Sequence, residues 1–144
     1  MEAQGLKGEE CVKQRESAGQ RTILVVEDFD ETRFMMKVVL EMSGYRVLEA
    51  TNGIEAIEVA RRERPDLILM DIGLPLMDGF EATRAIRDES GLAGVPVVAV
   101  SAHATAEYRV KALTVGCDEY VTKPVDFALL NNLVRRLLTR RDES

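Results

Sequence analysis

The chain has 144 residues, a length that favours one domain with a sizeable core. Its composition, 46% hydrophobic and 31% charged residues, is that of an ordinary globular protein and argues against disorder of the whole chain. The net charge of −6 argues against direct binding to nucleic acid, because phosphate contacts need a basic face, but it does not argue against binding of a divalent cation.

The first 20 residues are polar and poor in large apolar side chains. Such a segment cannot bury enough surface to offset the entropy lost on ordering, so residues 1–20 are predicted to be a flexible N-terminal tail. A docking role for this tail is the alternative. The folded domain is expected to span residues 21–140, and residues 141–144 are expected to be a charged C-terminal stub with no second domain.

Strand-like and helix-like segments alternate from Thr22 onward. The predicted helices start at Asp30 as a capping residue, at Thr51 or Asn52, at Phe80, at Thr105 and at Asp126, with stop signals at Gly44, Pro65 and Gly116. The predicted strands are Thr22–Glu27, Tyr45–Glu49, Asp66–Met70, Pro96–Val100 and Glu119–Thr122.

Five strands that alternate with helices indicate parallel β-α-β units and an α/β fold. The first, third and fourth strands are apolar runs without alternation, which indicates strands buried on both faces of the sheet. Crossover connections should be right-handed.

Polar or charged side chains stand where four of the predicted strands end. In an open parallel sheet, ligands bind at the carboxyl ends of the strands, so these side chains should meet in one site. They are of the kinds that handle a phosphoryl group on a carboxylate. They are Glu27 and Asp28 after the first strand, Asp71 after the third, Ser101 after the fourth and Lys123 after the fifth.

Four motifs in this order resemble the receiver domain of two-component response regulators, the CheY-like phosphoacceptor module. The motifs are Val25–Asp28, Met70–Gly79, Val100–Ala102 and Tyr120–Pro124. Each motif alone is weak or moderate, whereas the ordered set is specific. The resemblance implies a doubly wound (βα)5 fold with a five-stranded parallel sheet of flavodoxin-like order 2-1-3-4-5.

Asp71 is the candidate phosphoacceptor, because a carboxylate can attack phosphorus when the charge developing on the phosphoryl oxygens is neutralised. Glu27 and Asp28 would crowd it with like charge, so the site calls for a cation. Hard oxygen ligands that leave room for water suit Mg²⁺, with Mn²⁺ as an alternative. The resemblance implies that Asp28, Asp71 and the backbone carbonyl of Gly73 bind the metal directly, and that Glu27 acts through water.

Further residues are expected to act on the phosphoryl group. Lys123 offers a mobile point charge for a phosphoryl oxygen, and the resemblance implies a cis bond between Lys123 and Pro124. It also implies that the Ser101 hydroxyl binds a phosphoryl oxygen and moves on phosphorylation, and that Tyr120 then turns inward. The simpler interpretation of Tyr120 is a half-buried strand residue. His103 is interpreted either as an exposed loop residue or as a flank of the site entrance.

The resemblance implies a single-domain response regulator rather than an enzyme. It would accept a phosphoryl group on Asp71 from a sensor histidine kinase or a histidine phosphotransfer protein, and its own hydrolysis of the acyl phosphate would reset it. Phosphorylation would switch binding of a downstream protein at the face of the fourth helix, fifth strand and fifth helix. The expected state is a monomer or a phosphorylation-dependent dimer.

Three other functions compete with this one. An aspartyl-phosphate phosphatase would carry an acid/base Asp two residues after Asp71, where this chain has Gly73. A flavin-binding module would need a phosphate-cradling loop after the first strand, and the acidic segment Glu27–Glu31 is the electrostatic opposite. A receiver that has lost phosphorylation and acts as an adaptor is disfavoured by the intact set of site residues.

The cysteines and the hydropathy bear on the compartment. Cys11 lies in a polar segment and Cys117 directly before a strand, so the two are poor candidates for a disulfide and are expected to be free thiols. No stretch approaches the roughly 18 apolar residues of a membrane span, and no signal-peptide core is apparent. The sequence therefore predicts a cytoplasmic protein without a membrane partner.

Overall fold

The computed structural model of the protein describes residues 19–143. Most of the predicted tail, including Cys11, lies outside the described residues, as does Ser144. Five parallel strands form one sheet in the spatial order β2-β1-β3-β4-β5, so the predicted flavodoxin-like α/β fold is confirmed. The strands are β1 (Thr22–Val26), β2 (Arg46–Ala50), β3 (Leu67–Asp71), β4 (Val97–Ser101) and β5 (Glu119–Thr122).

In the part of the chain that the structure describes, five helices pack on the two faces of this sheet. Their bounds are α1 (Asp30–Met42), α2 (Gly53–Glu63), α3 (Gly79–Arg87), α4 (Ala106–Val115) and α5 (Phe127–Glu143). One apolar cluster lies between the sheet and α2, α3 and α4, and a second lies between the sheet and α1 and α5. Successive strand residues alternate between these clusters: Leu24 belongs to the first, and Ile23 and Val25 belong to the second. The central strands are therefore buried on both faces, as their unbroken apolar runs predict.

The strand register carries two polar site residues to the edge of the sheet. Asp71 pairs with Val100, and Ser101 pairs with Thr122, so both belong to their strands rather than to the loops that follow. The predicted bounds of β2, β3 and β4 are each one residue too early at both ends. The ladder extends into Asp71 and Ser101 because a neighbouring strand lies beside each of them, whatever the polarity of the side chain.

Side-chain caps explain where two of the helices begin. Asn52 accepts a hydrogen bond from the backbone N–H of Glu55 at 2.8 Å, so Asn52 rather than Thr51 caps α2. The helix predicted from Phe80 begins one residue earlier. Asp78 and Glu81 form a reciprocal capping box there, which the sequence analysis did not single out.

The prediction that Asp30 caps α1 is wrong. Phe29 occupies the cap position without a side-chain hydrogen bond, and Asp30 is the first helical residue. Its carboxylate accepts a hydrogen bond from the Arg33 side chain at 2.7 Å instead. The acid still lies in the first turn of the helix, where the helix dipole favours a negative charge.

The last helix extends past the predicted end of the domain. Residues 141–143, predicted as a stub, continue α5. Arg141 donates a hydrogen bond to the backbone carbonyl of Asp66 at 2.6 Å, and Asp142 forms an ion pair with Arg21. Both contacts tie the end of α5 to the amino ends of the strands. Within residues 19–143, none of the helices combines the length and the apolar character that a membrane crossing requires.

Candidate functional site

The polar residues predicted at the strand ends meet at one edge of the sheet. They line an open cleft of about 630 Å³, whose floor is formed by the carboxyl ends of β1, β3 and β4. Loops that follow the strands form its walls. The residues of this set in the cleft lining are Glu27, Asp28, Asp71, Gly73, Ser101 and Lys123.

Three carboxylates form an acidic cluster in this cleft. One carboxylate oxygen each from Glu27, Asp28 and Asp71 lies within 4.8 Å of the other two. Asp28 is exposed, whereas Glu27 and Asp71 expose only 1% and 5% of their surface. Negative charges this close to one another, two of them buried, repel strongly, so the cluster favours a bound cation.

The surroundings of Glu27 strongly change the pKa of its carboxylate. Burial raises the pKa of Glu27 to about 7; the charge of Asp71 acts in the same direction, and Lys123 and the Phe29 N–H act against it. The Glu27 Oε1 atom lies 3.0 Å from Lys123 Nζ, but among the described residues it has no partner in hydrogen-bond geometry. The site therefore holds a buried carboxylate oxygen whose pairing is incomplete.

Lys123 brings its ammonium to two of the acids. Its Nζ atom lies 3.0 Å from Glu27 Oε1 and 3.4 Å from Asp71 Oδ2. Burial acts to lower the pKa of Lys123, but the close contacts with Glu27 and Asp71 and their negative charges outweigh it and raise the pKa. The bond between Lys123 and Pro124 is cis, which confirms the expectation from the resemblance.

The Asp71 carboxylate is oriented at both of its oxygens. Oδ1 accepts a hydrogen bond from the backbone N–H of Gly73 at 3.0 Å, and Oδ2 faces Lys123. The backbone N–H of Gly79 donates to the carbonyl of Ile72 at 3.1 Å, which closes the loop after β3 onto the start of α3. The side chain is thus held in the cleft rather than turned into the apolar core.

Ser101 and Tyr120 both bond to His103, in the loop between β4 and α4. The buried Ser101 hydroxyl oxygen accepts a hydrogen bond from the His103 backbone N–H at 3.0 Å. The Tyr120 side chain is buried, and its hydroxyl donates to the His103 carbonyl. A shift of the Ser101 hydroxyl would therefore move His103, to which Tyr120 is also hydrogen-bonded.

The mouth of the cleft contains His103, which the sequence analysis named as a possible flank of the entrance, beside residues that it did not name as part of the site. The His103 ring stacks on Tyr108 of α4, with ring centroids 4.3 Å apart. Lys111 lies over the ring of Phe80, 4.8 Å from its centroid. No local sequence signal marks these pairs, because they arise from the packing of α4 beside α3 and the preceding loop.

The donor set fits a hard divalent cation. Carboxylate oxygens are the ligands that Mg²⁺ prefers, and the three acids offer them within a small volume. When all three acids are ionised, the Lys123 ammonium balances only one of their negative charges and leaves an excess of negative charge. A metal ion with two positive charges would neutralise that excess.

A family model and two curated relatives match this chain over most of the described residues. Residues 23–135 match the model of the response regulator receiver domain. The polar-differentiation response regulator DivK of Brucella anthropi is 38% identical over 105 residues, which is 73% of this chain and 85% of DivK. The transcriptional regulatory protein CseB of Streptomyces coelicolor is 42% identical over 123 residues, which is 85% of this chain and 51% of CseB. The chain thus spans about half the length of CseB.

Solved structures of similar fold include two receiver proteins. The receiver domain of the sensor histidine kinase PA1611 from Pseudomonas aeruginosa has a TM-score of 0.78 and 37% identity, with 83% of this chain and 98% of that chain covered. In that structure a magnesium ion is coordinated in the active site cleft. The chemotaxis response regulator CheY4 of Vibrio cholerae has a TM-score of 0.78 and 29% identity, with 82% and 98% covered. Because the family match runs from β1 through the sheet into α5, this chain belongs to the response regulator receiver domain family.

Proposed function

We propose that this receiver domain accepts a phosphoryl group on the Asp71 carboxylate from the phosphohistidine of a sensor histidine kinase or a histidine phosphotransfer protein. In this transfer an Asp71 oxygen forms the new bond to phosphorus while the bond from phosphorus to the histidine nitrogen breaks, and that nitrogen keeps the electron pair. The observation that carries the proposal is the setting of Asp71. It ends the central strand, opens into the cleft, and has one oxygen held by Gly73 N–H at 3.0 Å and the other 3.4 Å from Lys123.

A divalent cation is part of this proposal. Asp28, Asp71 and the backbone carbonyl of Gly73 would bind Mg²⁺ directly, Glu27 would act through water, and Mn²⁺ could substitute. When bound, the ion supplies positive charge that allows acidic side chains and phosphoryl oxygens to share the cleft. The clustered carboxylate oxygens support this assignment, as does the magnesium in the cleft of the PA1611 receiver domain.

The residues around Asp71 would stabilise the phosphorylated form. Lys123 already lies 3.4 Å from the acceptor carboxylate and would pair with an oxygen of the phosphoryl group, because that group carries more negative charge than the carboxylate alone. The Ser101 hydroxyl would donate to another phosphoryl oxygen. Because His103 joins Ser101 to Tyr120, this movement would reach the Tyr120 side chain. Hydrolysis of the acyl phosphate by the domain itself would reset the switch.

The proposed readout surface is the face of α4, β5 and α5. Large apolar side chains lie exposed there, since Val110, Leu113 and Leu129 each expose more than half of their surface. Tyr120 lies directly beneath this face, with the Arg109 guanidinium 5.1 Å from its ring centroid. A downstream protein, or a second copy after phosphorylation, is the proposed partner. The proposed receiver unit is the predicted segment 21–140 with its last helix extended to residue 143, and the cytoplasm is its proposed compartment.

Intact-mass spectrometry after incubation with Mg²⁺ and acetyl phosphate tests this function. The wild-type chain should gain one phosphoryl group, about 80 Da, and a metal chelator should prevent the gain. Asp71→Asn should gain nothing, whereas Asp78→Asn, a matched change in the same loop, should still be modified. Unchanged phosphorylation of Asp71→Asn would remove Asp71 as the acceptor.

A further inference from the structure

One arginine ties the acidic loop after β1 to the neighbouring strand. Arg33 of α1 exposes only 15% of its side chain and makes three different hydrogen bonds. Its Nε donates to the Glu49 carboxylate at 3.0 Å, its Nη1 to the backbone carbonyl of Glu27 at 3.0 Å, and its Nη2 to the Asp30 carboxylate at 2.7 Å. Glu49 lies in β2, paired in register with Val25 of β1. The guanidinium therefore joins the sheet, the loop and the first turn of α1.

These bonds fix the peptide that leads into Asp28. The Glu27 carbonyl, which belongs to that peptide, is turned outward to Arg33, while the Glu27 N–H donates to the carbonyl of Ala50 at 3.0 Å. On the other side of Asp28, the Phe29 N–H donates to the Glu27 carboxylate at 3.1 Å. The Asp28 side chain is itself exposed, so its direction depends on the backbone that carries it.

We propose that Arg33 is a positioning residue for Asp28, and that it sets the metal affinity of the site without touching the metal. The inference rests on the proposed function, in which Asp28 binds Mg²⁺ directly. The guanidinium would act through the peptide between Glu27 and Asp28, which it holds at the angle that aims the carboxylate into the cleft. Groups that orient a metal ligand in this way typically contribute about 10- to 100-fold in metal affinity.

Electrostatics alone predicts the opposite change in Mg²⁺ affinity when Arg33 is removed. Arg33 is a cation close to an acidic cluster, so its removal should strengthen the attraction of the cluster for Mg²⁺. A positioning role predicts that removal weakens binding. The direction of the change in Mg²⁺ affinity therefore separates the two explanations, and a matched control variant accounts for any general loss of stability.

Calorimetric titration of the full chain with Mg²⁺ tests the inference, with Arg33→Lys and Arg33→Ala as variants. Lysine keeps the charge but cannot reach three acceptors in the planar fork of a guanidinium. Arg87→Lys is the matched control. Arg87 exposes 17% of its side chain and donates to the backbone carbonyls of Val95 and Gly116, at the opposite end of the sheet.

We expect the Mg²⁺ dissociation constant to rise about tenfold in both Arg33 variants and to change less than about twofold in Arg87→Lys, because distant sites act independently. In an Asp28→Asn background, Arg33→Lys should have little further effect, since the ligand that it positions is gone. Wild-type affinity in Arg33→Lys, tighter binding in Arg33→Ala, or an equal loss in Arg87→Lys would overturn the inference.

The same titration separates this inference from the proposed function. If the wild-type chain binds Mg²⁺ but acetyl phosphate does not modify it, the phosphoacceptor role fails and the positioning role of Arg33 stands. If the wild-type chain does not bind Mg²⁺, the proposed metal site and the role of Arg33 fall together.

Discussion

A β-carbon on Gly79 would lie 2.3 Å from the backbone carbonyl oxygen of Asp71. No real side chain tolerates that distance, so the first residue of α3 has to be glycine for the loop after β3 to close against the strand end. The position of the candidate acceptor thus depends on a residue eight places later in the chain.

Gly79→Ala should destabilise the fold and displace Asp71. Overpacking of this kind typically costs about 1–3 kcal/mol, more than the roughly 1 kcal/mol that alanine gains over glycine in a helix. Urea denaturation should show this loss, and modification by acetyl phosphate should slow. Gly94→Ala is the control, because a β-carbon there meets nothing within 4 Å. Equal stability of the two variants would show that the loop can move aside without cost.

Lys123→Ala should leave Glu27 and Asp71 facing each other without an ammonium between them. We expect the metal-free protein to lose roughly 2 kcal/mol, the scale of a hydrogen bond to a charged group. Mg²⁺ should raise the melting temperature of this variant more than that of the wild type. Thermal melts with and without Mg²⁺ measure this. Signalling should suffer more than Mg²⁺ binding, and the reverse order would contradict the role given to Lys123.

Leu76 adopts a left-handed backbone conformation with φ of 68° and exposes 83% of its surface. A non-glycine residue pays about 1–2 kcal/mol for this conformation, and asparagine tolerates it better. Because the side chain packs little, Leu76→Asn should stabilise the protein by about 1 kcal/mol. Leu76→Ala keeps the energetic cost of the left-handed backbone and should not stabilise the protein. Denaturant melts of the pair decide this, and equal stability would count against strain at this position.

Cys117 should be chemically inert in the folded protein. Burial raises the pKa of its thiol to about 11, with the hydrogen bond to Thr83 acting in the opposite direction. Since only the thiolate reacts, alkylation at pH 8 should be at least about a hundredfold slower in the folded chain than in denaturant. Intact-mass measurements on a Cys11→Ser variant would follow Cys117 alone. Similar rates in both conditions would place the thiol at the surface.

Motif order along the chain was enough to predict the sheet and most of the cleft. The sequence shows a polar residue at the end of each of these strands. Because the carboxyl ends of parallel strands meet at one edge of the sheet, Glu27, Asp71 and Ser101 could be predicted to lie together. The bounds of β5 were predicted as they stand, whereas β2 to β4 lie one residue later, because pairing with neighbours decides where a ladder ends. The residues of one strand do not reveal how far its neighbours pair with it.

The residues that sequence reasoning missed act across elements. Arg33 lies on α1 and donates a hydrogen bond to Glu49 of β2, and Tyr108 of α4 stacks on His103 of the preceding loop, a residue that the sequence analysis did name. Each contact depends on the angle at which a helix packs on the sheet. Charge or aromatic character alone does not reveal that angle. Asp30 was misassigned for a different reason: its partner is the Arg33 side chain, three residues later in the same helix, rather than the helix backbone.

The proposed function depends most directly on transfer of a phosphoryl group to the carboxylate of Asp71. Borohydride reduces an acyl phosphate to an alcohol and converts the modified aspartate into homoserine, which peptide mass spectrometry locates in the chain. After treatment with Mg²⁺ and acetyl phosphate, we expect homoserine at position 71, with none when Mg²⁺ is chelated. Homoserine at Asp28 or Asp78, or no conversion at position 71, would contradict it.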